Sequence, residues 1–410
     1  MKKVKNFFKR ATPAIITGAA DNDPAGISTY SVAGAQFGYQ LNWLMILATP
    51  MLVAIEAMSA RIANIQKKGL ATVISSYYPP PISILAAAIL IVANVITIGA
   101  NLSGMVAAWN LLTGGSSFLW IIPIGIGIWL VVISQSYRTI KKILFYLVPF
   151  FATYLIAAFL SKPDWVTVIK ETFVPSIQPT PTFFMVSMGL LGTTIAPYLF
   201  FWQAKEEVEE NRTKNARFFL VRREDRLAAP GFIMSNMVSI FIMIATGSVL
   251  FNHGITDIPD AATAARALEP FAGNFASTLF AIGLFSAGLL AIPVLCVTTG
   301  SVVAETFKWK DQLLGHPKKE KGFYMVISTS IIVGMIIPLI GLNPIKALFY
   351  SQVLNSILAP VLIILLLQMS NNKKIMGKFT NSWFDNTFGG LAVGTMILAT
   401  AGLVWQLWMN

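Results

Sequence analysis

Asp21, Asn22 and Asp23, followed by Pro24, place two carboxylates, a carboxamide and a proline inside the otherwise small-residue run Gly18 to Gly26. That run is where a substrate site is expected. The run lies inside an apolar segment at about residues 12–37, long enough to cross a bilayer. A carboxylate at bilayer depth costs on the order of 2.5–3.5 kcal/mol on insertion scales, so it is kept where it faces a cavity, an ion or a partner. Pro24 removes a backbone donor and obstructs the helix, which frees carbonyls to face a ligand.

The elements that must position these residues follow from composition. Of 410 residues 55% are hydrophobic and 12% charged, and the apolar residues fall in runs of bilayer-crossing length, which predicts an all-α polytopic membrane protein. Eleven spans are expected, at about 12–37, 41–63, 82–112, 117–136, 142–160, 182–203, 229–251, 271–303, 322–342, 345–369 and 388–408. With the N-terminus cytoplasmic and the chain crossing at each span, 26 of the 30 Lys and Arg fall on the cytoplasmic side, all but Lys162, Lys170, Arg266 and Lys346. One span more or fewer would scramble that alternation. The expected location is therefore the plasma (inner) membrane, with the C-terminus outside, and the net charge of +12 is explained by anionic lipid rather than nucleic acid.

The basic residues ahead of the first span resemble a secretory leader, but Asp21 to Asp23 interrupts the apolar run and no small-residue cleavage site precedes it, so the span is expected to be retained. A single cysteine, Cys296, lies in a span, and the two histidines, His253 and His316, lie in loops; no disulfide framework or cysteine cluster is expected. The proline-containing connection at 161–181 reads as an irregular outer loop, and the charged stretch at 204–228 as a solvated pair of surface helices.

A second interruption stands in the sixth span, where Gly189, Gly192, Thr193, Thr194 and Ala196 lead into Pro197 and Tyr198. Ordinary proline kinks would account for either break alone. Two breaks five spans apart, one of them carrying carboxylates, are the pattern of an inverted-repeat transporter with its site at mid-membrane.

These residues carry a family resemblance. Asp23-Pro24-Ala25-Gly26, followed by Ala33 through Leu41 (AGAQFGYQL), resembles the first helix of the NRAMP divalent-metal transporters, in which an Asp-Pro-Gly-Asn motif precedes a nearly identical stretch. The likeness continues through Ser59-Ala60-Arg61, Gly192 to Tyr198 and Ser351-Gln352-Val353. It implies a LeuT-like fold: one transporter domain with two inverted five-helix repeats, about 12–160 and 182–369, and an eleventh helix at about 388–408. It also implies Asp23 as the metal-binding carboxylate, a backbone carbonyl at Thr193 and a substrate-proximal Gln352.

Departures from the family pattern shape the expected substrate. Gly26 stands in place of a metal-binding asparagine, Ala196 in place of a methionine and Tyr198 in place of a histidine. Methionine sulfur selects soft transition metals, so its loss relaxes discrimination against hard ions. Mg²⁺ prefers octahedral oxygen and gives up water reluctantly, and small Gly26 and Ala196 leave room for a hydration shell. The expected cargo is Mg²⁺, with Mn²⁺ as a second substrate, as in the NRAMP-related magnesium transporter branch. Asp23 is the anionic ligand, helped by Asp21, Asn22, Gln352, Asn355 and carbonyls at the breaks near Ala25 and Thr193.

Proton-coupled family members use a sixth-helix histidine and acids on the third helix. Here the third span holds Asn94, Asn101 and Asn110 and no acid, and a tyrosine hydroxyl with a reference pKa of about 10 is a poor shuttle at neutral pH. Transport without proton coupling is expected. Glu305, which closes the eighth span, and Tyr198 are the gate candidates, and Glu56 and Arg61 suggest an ion pair at a helix end. Two alternatives remain: a proton-coupled Mn²⁺ or transition-metal importer of the ordinary family type, and a cation-coupled organic-solute transporter of the same fold. No nucleophile elbow, phosphate loop or His-rich metal cluster supports an enzyme. No cofactor is expected, and the expected partners are lipid and divalent ions, without nucleic acid or an obligate protein partner.

Overall fold

The computed structural model describes residues 22–134, 152–213, 221–309 and 320–409. Its helices are α1 (Pro24–Phe37), α2 (Asn42–Gln66), α3 (Leu70–Tyr77), α4 (Pro80–Thr113), α5 (Ser117–Ser134), α6 (Ala152–Leu160), α7 (Trp165–Phe173), α8 (Pro181–Thr194), α9 (Pro197–Thr213), α10 (Val221–Val249), α11 (Ala276–Thr306), α12 (Lys321–Gly334), α13 (Pro344–Asn371) and α14 (Trp383–Met409), joined in places by short helical turns. Among the described residues, eight segments are long and apolar enough to cross a membrane, with α8 and α9 forming one of them. The remaining three expected spans correspond to α1, α5 and α6, each adjoining residues outside those described.

The local chemistry of α1 explains where it begins and ends. Asp23 is extended and accepts from the Gly26 N–H, Pro24 takes the first helical position, and Gly38 ends the helix at φ +59°. The N-cap carboxylate satisfies a donor the helix would otherwise orphan, and proline there sacrifices no hydrogen bond. In the sixth span the helix stops at Thr194, Ile195 and Ala196 leave it, and Pro197 begins a new one. Pro197 has no N–H to return to Thr193 four residues back, so the Thr193 carbonyl loses its helical donor.

Packing brings these broken helices together at the centre. α1 is almost wholly buried, sharing contacts with α8, α10 and α13. At Gly192 a β-carbon would stand 1.9 Å from the Gln352 carbonyl oxygen and 2.8 Å from the Ser356 nitrogen, so glycine is what lets α8 and α13 meet backbone to backbone. The outer faces of α5 and α14 carry exposed Leu119, Ile122, Leu398 and Val404, apolar surface that a bilayer covers. Trp383 and Trp408, at the two ends of α14, are each 78% exposed, as interfacial tryptophans are.

Two loop expectations are corrected. The connection at 161–181 contains α7, because its prolines lie outside residues 164–174 and Asp164 caps the helix through the Val166 N–H and the Thr167 hydroxyl. Those two donors hold the Asp164 carboxyl below the usual carboxylate range. The charged stretch after the sixth span is no solvated face at its start: α9 carries the span inward, and Lys205, Glu206 and Glu209 are buried. Arg61, for its part, donates to Asp385 of α14 at 2.9 Å, which ties the C-terminal part of α2 to α14.

Candidate functional site

Asp23 is 2% exposed, and each of its oxygens has one well-defined donor. Oδ1 accepts from the Gly26 N–H at 2.6 Å, and Oδ2 accepts from the Asn101 side-chain amide at 2.9 Å. The carbonyl of the same Asn101 amide accepts from the Ala25 N–H at 3.2 Å. A carboxylate has about four acceptor positions, so capacity for a cation remains. The α1 N-terminus stabilises the negative charge through its free N–H groups and dipole. The C-terminal end of α8 presents the opposite polarity, with the Thr193 carbonyl stripped of its helical donor by Pro197, which favours a positive ligand.

A second cluster lies one helical turn along α4. Asn355 donates to Gln352 Oε1 at 2.9 Å and reaches Thr97 Oγ1 at 3.4 Å, while Gln352 donates to Ser351 at 3.1 Å. Thr97 and Asn101 are four residues apart on one face, so α4 connects the Gln352–Asn355 pair with Asp23. Asn94 continues that face and donates to Thr299 of α11 at 2.9 Å. Among the described residues, this α4 face carries amides and hydroxyls without an acid.

The other expected site residues are placed as follows. Asn22 turns away from the centre, donating to Ser235 at 2.8 Å and accepting from Ser239 at 3.3 Å, both on α10. These bonds anchor the start of α1 to α10. The Ala25 carbonyl accepts the Thr29 hydroxyl at 2.7 Å, and the Ala25 N–H donates to Asn101. Gly26 likewise serves Asp23 through its backbone nitrogen. Thr193 sits at the α8 end beside the Gly192–Gln352 contact. Ala196 and Tyr198 are buried in an apolar cluster that includes Leu102, Met105, Ile292 and Leu295. Asp21 lies outside the described residues.

Glu305 stands at the C-terminal end of α11 and does two things at once. Its Oε1 accepts from Lys205 of α9 at 3.3 Å, and its Oε2 accepts from the Thr72 N–H at 3.1 Å. Gly69, the N-cap of α3, has no side chain with which to cap, and a β-carbon there would come within 2.1 Å of Glu305 Oε1. The Glu305 carboxylate therefore supplies the missing cap of α3 while tying down α9. Asn101 and Lys205 contact these residues without having been singled out in the sequence; an amide in an apolar span was the available signal for the first, whereas nothing local marked the second.

The polar centre thus lies between two broken helices, with α9, α11 and α3 tied together by Glu305. The family model described as natural resistance-associated macrophage protein-like, Nramp, matches residues 14–406. The chain belongs to the Nramp family. Similar Nramp relatives include the divalent metal cation transporter MntH of Klebsiella pneumoniae (strain 342), 24% identical over 96% of this chain and 92% of that protein. Another is MntH of Caldanaerobacter subterraneus subsp. tengcongensis, 24% identical over 99% and 94%. Among solved structures, an Eremococcus coleocola manganese transporter superposes with a TM-score of 0.79 at 19% identity, covering 98% of this chain and 87% of that one. Mhp1, a nucleobase-cation-symport-1 family transporter, superposes at 0.64 with 15% identity, covering 98% and 90%. The Nramp chain thus has the LeuT-like fold expected of it.

Proposed function

We propose that this protein is a secondary transporter that carries divalent metal cations, Mg²⁺ foremost and Mn²⁺ as a second substrate, across the plasma membrane by alternating access and without moving protons. The observation that carries the reading is Asp23: a buried carboxylate at the break of α1, held by Gly26 and Asn101 with acceptor capacity to spare. Relatives and a structural neighbour described as divalent metal or manganese transporters support the cargo class. The hard-ion preference rests on Ala196, which has no sulfur to offer, and on neutral oxygen donors at Gln352, Asn355 and Thr193 that suit a partly hydrated ion.

Mechanistically, the ion enters while the cytoplasmic side is tied by Glu305, Lys205 and the α3 N-terminus, and loses part of its hydration to Asp23 and the nearby carbonyl and amide oxygens. Release requires α9 to leave Glu305. The repeats at about 12–160 and 182–369 supply one broken helix each, with the helix at about 388–408 outside both. The N-terminus is cytoplasmic and the C-terminus outside, as the distribution of Lys and Arg supports. Absence of coupling is supported by the neutral α4 face and by Tyr198 in the position of the family histidine. Proton-coupled Mn²⁺ import is the second reading, favoured by the descriptions of the relatives.

The test is uptake of Mg²⁺ and Mn²⁺ into proteoliposomes enclosing a metal indicator and a pH dye. Uptake of both ions by wild type at constant internal pH is expected. Acidification accompanying Mn²⁺ would establish the coupled reading, and uptake of neither ion would end the metal assignment.

A further inference from the structure

We infer that Asn101 is a positioning residue for the transported cation: its amide holds the Asp23 carboxylate in the orientation that receives the ion. This rests on the divalent-cation reading of the Asp23 site.

Asn101 is fully buried in α4 and uses both ends of its amide on α1. Its nitrogen donates to Asp23 Oδ2 at 2.9 Å, and its oxygen accepts from the Ala25 N–H at 3.2 Å. The orientation of the amide follows from its partners, since exchanging N and O would set an acceptor against a carboxylate and a donor against an N–H. The second bond fixes the amide to the backbone one residue past the proline, so the donor aimed at Oδ2 has little freedom of its own. Gly26 restrains the other oxygen at 2.6 Å. The carboxylate is thereby clamped from two sides by two different helices, with its plane set before an ion arrives.

An aspartate side chain otherwise rotates about two bonds, and a cation that must order it gives up affinity in doing so. A donor bonded to a carboxylate also partly satisfies it when no ion is bound. α4 is well placed to serve as the fixed support: it packs along the length of α11 and against α13. Asn101 also satisfies a requirement that few side chains meet, namely a donor and an acceptor about one amide apart, presented to two atoms of another helix. Leucine has nearly the same shape and neither group. Threonine bonds back to its own helix, as Thr97 does to the Ala93 carbonyl, and is too short to reach Asp23.

The experiment is a Mn²⁺ concentration series in proteoliposomes for wild type, Asn101→Leu and Asn101→Thr, with rates normalised to folded transporter counted by monodisperse elution. A positioning role predicts that KM for Mn²⁺ rises on the order of ten-fold in both variants while the maximal rate per folded molecule stays within about two-fold. A purely structural role would lower the amount of folded protein and leave KM alone. An unchanged KM in either variant that folds overturns the inference. If Asn101→Leu fails to insert, Asn101→Thr decides; if neither folds, the Mn²⁺-induced shift in melting temperature of Asn101→Gln, which keeps both amide groups but displaces them by one methylene, decides by whether it equals that of wild type, and equality overturns the inference. Failure of wild type itself to take up Mn²⁺ overturns the metal reading and this role with it, an outcome distinct from normal wild-type uptake with insensitive variants.

Discussion

Asp23 concentrates the chemistry of the site in one carboxylate, so neutralising it has a simple expected consequence. Asp23→Asn retains the shape and one acceptor but removes the charge that offsets a divalent ion; uptake of Mg²⁺ and Mn²⁺ should fall at least about 100-fold, measured in proteoliposomes with matched insertion. Ala196→Met should act in the opposite sense on selectivity. A thioether placed there adds a soft ligand, and the ratio of Mn²⁺ to Mg²⁺ affinity should rise about ten-fold, or roughly 1.4 kcal/mol, in competition assays. The prominence of Asp23 was legible because a carboxylate beside a proline in an apolar run is a local signal. The role of Asn101 was not, since its partners Asp23 and Ala25 lie far away in sequence, and an asparagine in a span satisfies many kinds of neighbour. The tie from Asn22 to α10 was hidden for a related reason: its partners Ser235 and Ser239 lie more than two hundred residues on.

At the scale of elements, the close approach of α8 to α13 is the most exacting contact near the site. Gly192→Ala would drive a methyl group to 1.9 Å from the Gln352 carbonyl, and because the obstacle is backbone the helices must separate; a loss of about 1–3 kcal/mol is expected, seen as a lower melting temperature in detergent. The tie between α9, α11 and α3 should respond differently. Glu305→Gln keeps an acceptor for Thr72 but removes the negative charge facing Lys205, so α9 should part from α11 more often. Cys296, the sole cysteine, is buried in the cluster containing Tyr198 and Trp202 of α9, which makes it a native reporter: a small thiol reagent should label it several-fold faster in the variant. The eight long spans were readable from hydropathy because it is summed over many positions. The inward extension of α9 was not, because Lys205, Glu206 and Glu209 are charged residues that look solvated until the helices packed over them are known.

For the whole molecule, the decisive property is what drives the ion. A divalent cation moving inward down 100 mV gains about 4.6 kcal/mol, enough by itself for accumulation of about three orders of magnitude. Imposing an inside-negative potential on proteoliposomes should therefore accelerate Mg²⁺ uptake, whereas an imposed pH gradient without a potential should not; the reverse response would point to proton coupling. The architecture also bears on how such a cycle is transmitted. Pro197 starts α9 immediately after the break at Ala196, and Lys205 lies eight residues further along the same helix, about 12 Å away at 1.5 Å per residue. Its ammonium meets Glu305 there. On the proposed reading one stiff rod has the cargo at one end and the latch at the other, so the arrival of an ion need not be relayed from side chain to side chain: any tilt of the rod that follows binding is already a movement of the door.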